Sequence, residues 1–360
     1  MTNRERADPS IFTKIPPQSQ EKKAGQLDEA QLKQFFEEGY TLVPDFFSRE
    51  ELQPVRDAVA DCVDRLANKL YDAGKITKKH QDAGLFKRMT LIEKQFPGAA
   101  VLLHKTGWLP QAFRDLWSDQ KLLNVVEQFI GTEIAGHPVW NLRVKVPQNE
   151  EATVPWHQDS AYLDSDALKV LQPTAWIPLL DTNEHNGCMQ VAKGGHRSGI
   201  LGKHVCCAGG TWYVDLTEEE MEKTLNVNMK EDIVTCEVPY GGVLFINNLI
   251  PHRSLQNYSE DIRWSLDLRW QLPHLSNGFY GLKGNVLMRT KEDANLVIDF
   301  DSFDKVDRHK EACKPEDKDD EAEFDTTIAG PWMLRWEMVH QNRHTAKLQE
   351  ASDPTTWHKA

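Results

Sequence analysis

The sequence predicts an all-β core, a sandwich or barrel, with helices before and after it. The first observation is that residues 137–272 form short strand patterns separated by turn signals. The second is that capped amphipathic helix patterns precede this region, and another amphipathic pattern at 331–348 follows it. We therefore expect three segments: a flexible arm at 1–26, a domain at 27–275, and an extension at 276–360 packed on the same domain.

Helix signals come before the strands. Asp28 is a suitable N-cap for an amphipathic pattern that ends at Gly39. Ser48 and Glu51 have the spacing of a capping box, which predicts the start of a second helix. A further helix is expected over 110–130, because apolar residues recur there at helical spacing.

The strand region begins with an alternating segment, VWNLRVKVP at 139–147. It places Asn141, Arg143 and Lys145 on one face, because side chains on a strand alternate with a period of two. This polar face points either into a cavity or to solvent, and the pattern leaves both open. The segment 199–236 is less regular, and 314–325 is an acidic run expected to be a solvated loop. Further strand candidates are 174–181, 187–196, 241–248 and 264–271.

The composition bears on partners and location. A formal charge of -13 argues against a nucleic-acid backbone or an anionic membrane as the main partner. No apolar run approaches the length that spans a bilayer. We expect a small-molecule substrate, no nucleic acid and no membrane, and the sequence leaves the oligomeric state open. Without a signal peptide or a Cys-X-X-Cys motif, a reduced, cytoplasmic protein is expected, with Cys206 and Cys207 as two thiols.

The tripeptide His-Gln-Asp occurs twice, at 80–82 and at 157–159. With 13 histidines in the chain, roughly one His-X-Asp is expected by chance, so the surroundings must decide. Lysines precede the first copy and no strand pattern surrounds it, which indicates a solvated loop or helix end. The second copy follows the alternating strand. If it continues as a strand, His157 and Asp159 share one face.

His252 supplies a third donor, 95 residues after His157. It follows a Gly-Gly turn and an apolar strand, GGVLFINNLIP. Two histidines and one carboxylate on one side of a metal form the facial triad of non-haem Fe(II) oxygenases. The set contains no Cys, which argues against a structural zinc site. The expected metal ligands are His157, Asp159 and His252.

Arg263 follows His252 by 11 residues and opens the strand RWSLDLRW. An arginine that projects into a barrel from this strand can clamp a carboxylate with its planar guanidinium. At this offset from the expected ligands, we interpret Arg263 as a binding residue rather than a surface ion-pair residue.

Together these segments resemble the phytanoyl-CoA dioxygenase (PhyH) family of Fe(II)/2-oxoglutarate oxygenases. The matching pieces stand in the family's order over 27–272. The segments CCAGGTWYVDL and TTIAGPWMLRWE are also similar to a hypophosphite-dioxygenase-like subgroup, which would imply a small polar or anionic substrate. The family pieces are LDEAQLKQFFEEGYTLVPDFF, WHQD, TAWIPLLDTNEHNGCMQVAKGGHRSG and GGVLFINNLIPHRSLQNYSEDIRWSLDLRW.

The resemblance implies a double-stranded β-helix, a jelly roll of cupin type. It implies Fe(II), 2-oxoglutarate and O2 as the cofactors, with His157, Asp159 and His252 on iron. Arg263 would hold the distal carboxylate of 2-oxoglutarate. The implied reaction is hydroxylation of a small molecule with release of succinate and CO2.

The resemblance also suggests neighbours for the cosubstrate. Trp176 falls at the family's aromatic position beside it, although packing in the core explains a tryptophan there equally well. The family adds one more polar or cationic residue. Asn141, Arg143, Lys145 and the preceding Lys105 are the candidates, and strand alternation favours the first three. Asp159 stands where related halogenases have Gly or Ala, so hydroxylation is favoured over halogenation.

Two other functions stay open at this point. One is a catalytically silent PhyH-like binding protein, and the other is a cupin metalloenzyme that does not use 2-oxoglutarate. Among these readings, only the 2-oxoglutarate oxygenase requires Arg263 at its position. The resemblance does not choose among acyl-CoA esters, phosphorus compounds, small zwitterions and natural products as substrates.

Overall fold

In the computed structural model the described residues are 5–308 and 323–350, and they form eleven helices and thirteen strands. The helices are α1 Ser10–Thr13, α2 Glu29–Glu38, α3 Arg49–Asp72, α4 Arg88–Gln95, α5 Ala99–His104, α6 Gln111–Trp117, α7 Gln120–Ile130, α8 Glu218–Leu225, α9 Phe300–Asp304, α10 Trp332–Arg335 and α11 Arg343–Glu350. The strands are β1 Tyr40–Val43, β2 Ile134–Gly136, β3 Asn141–Lys145, β4 Thr174–Pro178, β5 Met189–Ala192, β6 Val205–Cys206, β7 Val214–Asp215, β8 Ile233–Cys236, β9 Val243–Ile246, β10 His252–Ser254, β11 Arg263–Gln271, β12 Val286–Arg289 and β13 Glu337–Met338.

The two predicted helix starts are confirmed. The side chains of Asp28 and Ser48 each cap a helix through a complete capping box. The single helix expected over 110–130 is wrong, because the chain forms α6 and α7 instead. Asp119 accepts hydrogen bonds from two backbone N–H groups at the start of α7, which begins a new helix there.

Two antiparallel sheets form the centre of the molecule. The large sheet has the order β1-β9-β4-β11-β2-β12, and β3 also pairs with β11. The small sheet has the order β10-β5-β8. His157 forms an isolated antiparallel bridge with His252, which places it beside β10 at the edge of the small sheet. A third set, β13-β6-β7, contains a parallel pair between β13 and β6.

The large and small sheets share one apolar core. Trp176 of β4 and Leu244 of β9 belong to the same buried cluster as Met189 of β5. Phe245 points to the other face of β9, where its ring lies 5.8 Å from that of Phe129 in α7. The helices therefore cover the outer face of the large sheet, and the inner face turns towards the small sheet.

The register of β11 positions the polar residues of three strands. Arg263 lies opposite Lys145 of β3, and Asp267 lies opposite both Asn141 of β3 and Trp176 of β4. Opposite residues of an antiparallel pair point to the same face, with Cβ atoms about 4.5–5.5 Å apart. Asn141 and Lys145 are buried, with 7% and 1% of their surface exposed. The polar face of β3 is therefore an inner face, and the solvent-facing alternative is wrong.

The two ends of the chain differ from the predictions. The first 26 residues were expected as a loose arm, but in the described part Phe12 is fully buried and Arg6 forms a β-bridge with Ile200. The continuous helix expected over 331–348 is wrong. The chain forms α10, β13 and α11 there, because β13 extends to pair with β6.

Two smaller points concern the acidic run and the cysteines. Most of the run expected at 314–325 lies outside the described residues. Cys206 and Cys207, expected as thiols, form a vicinal disulfide, since their sulfur atoms are in bonding contact. In the described ranges, no helix is both long and apolar enough to cross a bilayer.

Candidate functional site

Three buried side chains converge between the sheets. Nε2 of His157 lies 3.4 Å from Oδ1 of Asp159, and Nε2 of His252 lies 3.6 Å from the same oxygen. The potential ligand atoms of the three residues all lie within 4.8 Å of one another. Two imidazoles and a carboxylate at this spacing have the donor set of a facial triad.

The backbone fixes how the two histidines point. Nδ1 of His157 lies 2.9 Å from the carbonyl of Pro155, and Nδ1 of His252 lies 3.0 Å from the carbonyl of Ile250. Carbonyls accept, so each Nδ1 carries the proton and each Nε2 keeps a free lone pair for a metal. Burial lowers the pKa of His252 to about 4, so its ring is neutral at pH 7.

Asp159 is positioned differently from the expectation. We expected it on one strand face with His157, but it is the first residue of a 3-10 turn, Asp159–Tyr162. Its Oδ2 accepts two hydrogen bonds from Arg269, at 3.1 and 2.8 Å, and one from Thr174 at 3.3 Å. Burial would raise the pKa of Asp159, but the charge of Arg269 and the contact with His157 hold it well below its usual range. Oδ1 remains directed at the histidines.

A first cavity opens beside the two histidines, and Arg263 lies in its wall. Arg263 is 3% exposed and donates from Nη1 to Ser265 at 2.7 Å, while its Nε–H is buried without a hydrogen-bond partner. Its guanidinium carbon lies 5.2 Å from the ring centre of Trp176, which lines the same cavity. Burial lowers the pKa of Arg263 to about 10, so it is charged at pH 7.

Lys145 is the second basic residue of the first cavity. It is 1% exposed, and Nζ donates to the carbonyl of Ala152 at 2.6 Å. Burial, followed by the charges of Arg263 and Arg143, lowers the pKa of Lys145 well below its usual range. Neither Lys145 nor Arg263 forms an ion pair with a described acidic residue, so the cavity has the electrostatics of an anion site.

A second cavity adjoins the first and is lined in part by Asp159, Asn141, Tyr162 and Arg308. Five residues line both cavities: His104, Arg143, Trp212, Tyr213 and Arg269. Arg143 pairs with Asp267 at 2.6 Å. Of the three candidates from β3, the structure therefore places Lys145 beside Arg263, Arg143 between the cavities, and Asn141 in the second cavity only.

The first copy of His-Gln-Asp, at 80–82, is not part of this site. Residues 81–83 form a short 3-10 turn, in which Asp82 is exposed, and Nε2 of His80 lies 2.8 Å from the amide nitrogen of Gln95. Within the described ranges, no group of three His, Cys, Asp or Glu donors includes this copy. The prediction of a solvated loop or helix end is confirmed.

Arg269, Asp267 and Arg308 are site residues that were not predicted from the sequence. A usable signal existed for the first two, because Arg263, Asp267 and Arg269 are separated by even numbers of residues on one strand. A strand that presents Arg263 to a cavity must present the other two to the same side. Arg308 lies beyond the last expected strand, and no periodic pattern pointed to it.

A family model described as Phytanoyl-CoA dioxygenase (PhyH) matches residues 35–265. The 1-deoxypentalenic acid 11-beta-hydroxylase of Streptomyces arenae is 28% identical over 177 residues, which cover 47% of this chain and 60% of that enzyme. Phytanoyl-CoA dioxygenase 1 of Oryza sativa subsp. japonica is 26% identical over 268 residues, covering 68% of this chain and 89% of that protein. The match thus spans about three fifths of the Streptomyces enzyme.

Solved structures show a similar fold. EctD from S. alaskensis, in a structure with 2-oxoglutarate and 5-hydroxyectoine, has a TM-score of 0.51 at 19% identity, over 81% of this chain and 87% of that chain. ThoJ, described as a non-heme monooxygenase, has a TM-score of 0.50 at 19% identity, over 78% and 96% of the two chains. At these identities the likeness concerns the fold alone.

Proposed function

The chain belongs to the phytanoyl-CoA dioxygenase (PhyH) family, and we propose that it is an Fe(II)- and 2-oxoglutarate-dependent dioxygenase that hydroxylates a small molecule, with release of succinate and CO2. In this proposal the large and small sheets are the two halves of a double-stranded β-helix. The 2-oxoglutarate named for the EctD structure supports the choice of cosubstrate. A cytoplasmic location stays a prediction.

One observation carries the proposal. His157 and His252 line the same buried cavity as Arg263 and Lys145, two basic residues that form no ion pair with a described acidic residue. The buried Nε–H of Arg263 has no acceptor. A dicarboxylate that reaches from the triad to these residues would accept from that donor, balance the charge of Arg263 and favour the protonated form of Lys145.

We assign the roles as follows. Nε2 of His157, Nε2 of His252 and Oδ1 of Asp159 would hold the iron. Arg263 would hold the distal carboxylate of 2-oxoglutarate, with Lys145 beside it. When bound, Fe(II) and 2-oxoglutarate would activate O2 and supply two of the four electrons that the reduction of O2 requires. The buried cavity would exclude water from the reacting groups.

Arg269 prepares the carboxylate for this role. By donating twice to Oδ2, it keeps Asp159 ionised and turns the other oxygen, Oδ1, towards the histidines. Burial and the hydrogen bond to Ile250 keep His252 neutral and oriented. Contacts within the protein thus preorganise the three ligands for metal binding.

An anaerobic titration tests the proposal. Addition of Fe(II) and then 2-oxoglutarate is expected to produce a visible metal-to-ligand charge-transfer band, and succinate should form in air when a substrate is supplied. Arg263→Met should weaken 2-oxoglutarate binding and leave iron bound. The absence of both the band and succinate across a panel of substrates would overturn the proposal.

A matched pair of variants tests the choice between the two His-Gln-Asp copies. His252→Ala should abolish iron binding, whereas His80→Ala should leave it unchanged, since His80 contacts Gln95 and is not one of the three clustered donors. Loss of iron in the His80 variant would contradict the assignment. The complete triad and Arg263 favour a working oxygenase over a catalytically silent binding protein.

A further inference from the structure

The second cavity contains a cation that the proposed iron and 2-oxoglutarate sites do not use. Arg308 is 8% exposed and lies in the wall of this cavity, together with Arg143, Asp159 and Arg269. The family match ends at residue 265, so it does not account for Arg308. What this arginine contacts therefore bears on the substrate.

Two of the three arginines that line the second cavity form ion pairs with carboxylates. Arg269 pairs with Asp159 at 2.8 Å, and Arg143 pairs with Asp267 at 2.6 Å. Arg308 donates only to neutral acceptors, the carbonyl of Pro138 at 2.8 Å and Oδ1 of Asn141 at 3.3 Å. Among the described residues no carboxylate forms an ion pair with Arg308. Among the residues that line the cavity and their ion-pair partners, Arg308 is therefore one positive charge in excess, and Asp307, whose charge also acts on Arg308, does not line the cavity.

The histidines of this cavity do not alter that count. Burial lowers the pKa of His104 and of His137 to about 3, so both rings are neutral at pH 7. Both ring nitrogens of His137 are engaged, one with the carbonyl of Asn277 and the other with the N–H of Val139. Burial and the nearby charges of Arg269 and Arg143 lower the pKa of Arg308 to about 9, so it remains charged at neutral pH.

Two further observations indicate that a ligand belongs there. Arginine has five N–H donors, and Arg308 uses two of them within the described chain. The hydroxyl of Tyr162 is buried in the same cavity without a hydrogen-bond partner, and its ring lies 5.4 Å from that of His157. A buried hydroxyl without a partner beside an unbalanced buried charge is costly unless an anion fills the space.

The rest of the wall is mostly apolar. The side chains of Leu163, Trp212, Phe279, Ile328 and Trp332 surround the polar end. An apolar wall of this kind suits the body of an organic molecule, and a few polar groups fix its orientation. A strongly hydrated dianion would find one cation only.

We propose that the second cavity binds the substrate and that the substrate is a small organic monoanion with an apolar body, such as a carboxylic acid, whose anionic group contacts Arg308 and Tyr162. This inference rests on the proposed function, because the cavity adjoins the proposed iron ligand Asp159. The anionic end at Arg308 would orient the apolar body, and with it a C–H bond, towards the triad.

Calorimetric titration with a matched pair of probes tests this assignment. Cyclohexanecarboxylate and cyclohexanecarboxamide have the same shape but differ in charge, and cyclohexylphosphonate separates the two kinds of oxyanion. The protein is held anaerobically with Fe(II) and saturating 2-oxoglutarate, so that the Arg263 site is filled. The carboxylate should bind at least about tenfold more tightly than the amide, as expected for a charge-assisted hydrogen bond. Tighter binding of the phosphonate would identify a phosphorus oxyanion instead of a carboxylate.

Arg308→Met should remove the preference for the acid, and Tyr162→Phe should reduce it. Arg114→Met is the control, since Arg114 pairs with Asp301 and Asp304 outside the cavity. Equal binding of acid and amide to the natural protein, or no binding of either, would overturn the inference without any variant. An Arg308→Met protein that still prefers the acid to the amide would also overturn the inference.

The charge-transfer band is recorded on the same samples. A band without preference for the acid refutes this inference and leaves the proposed function standing. If the band fails to form, the proposed function fails, and the probes are still titrated to decide whether Arg308 selects the acid.

Discussion

Replacement of Lys145 by methionine should change two properties in opposite directions. Burial, followed by the charges of Arg263 and Arg143, disfavours the protonated form of Lys145, so the protein without cosubstrate should be more stable when this buried amine is removed. The same amine would contact 2-oxoglutarate, so cosubstrate affinity should fall. A residue with a purely structural role would not combine these effects.

The expected sizes follow from the surroundings of Lys145. Replacing a buried charge by an apolar group of similar volume stabilises a protein by about 1–4 kcal/mol in favourable cases. The lost hydrogen bond to Ala152 offsets about 1 kcal/mol of this. The entropy of unfolding of a 360-residue chain is about 0.76 kcal/mol per kelvin, so the melting temperature should rise by up to about 4 °C. Loss of one charge-assisted contact should weaken 2-oxoglutarate binding about 10- to 100-fold.

Thermal unfolding without ligands and anaerobic titration of 2-oxoglutarate measure the two effects. Lys283→Met is the matched control, because Lys283 is 9% exposed, its Nζ lies over the ring of Phe303, and it does not line the first cavity. The control should leave 2-oxoglutarate affinity unchanged. A lower melting temperature for Lys145→Met together with unchanged cosubstrate affinity would refute the reasoning.

Three other predictions concern stability. Ser48→Ala should lower the free energy of unfolding by about 1 kcal/mol in urea titrations, because the capping box of α3 is lost, and an unchanged midpoint would contradict this. Burial lowers the pKa of His137 to about 3, so between pH 6.5 and pH 3 the unfolded chain binds a proton there that the folded protein does not bind. The contribution of the neutral ring to the free energy of unfolding is therefore complete above pH 6.5 and is lost as the pH falls towards 3. His137→Asn should therefore remove a slope of about 1.4 kcal/mol per pH unit below pH 6.5, which urea titrations at pH 7 and pH 5 would detect or exclude. At Gly187, with φ +83°, an added Cβ would lie 2.6 Å from the carbonyl of Leu255 and 2.7 Å from Lys145. Gly187→Ala should therefore lower both the melting temperature and the affinity for 2-oxoglutarate. Gly84→Ala is the control, because it is strained at φ +70° but lies in open space, and it should affect only stability.

The donors of the triad were predictable because two local patterns enclose them. His157 follows an alternating strand. His252 is the first residue of β10 and follows a Gly-Gly turn and an apolar strand. The conformation of Asp159 was not predictable in the same way. Its 3-10 turn is held by contacts with distant residues, above all Arg269, and a strand rule applied to three letters does not contain them.

The partners of the triad depend on register. Lys145 could be separated from Asn141 only once β3 was aligned with β11, since all three polar residues of β3 share one face. The segment after residue 275 has no strand periodicity, so the position of Arg308 in the second cavity depends on tertiary packing alone. For the same reason the break between α10 and α11 followed from pairing with β6 and not from local sequence.

The walls of the two cavities come largely from different parts of the fold. The polar groups around the first cavity come largely from β3, β4 and β11, whose mutual register is set by the large sheet. Much of the wall of the second comes from Phe279, Arg308, Ile328 and Trp332, which do not line the first cavity and lie outside the large and small sheets. Mutations in these peripheral segments could redirect the enzyme to new compounds during evolution while the oxidising machinery stays intact. For enzyme engineering, a library confined to those peripheral positions would explore selectivity at little risk to turnover.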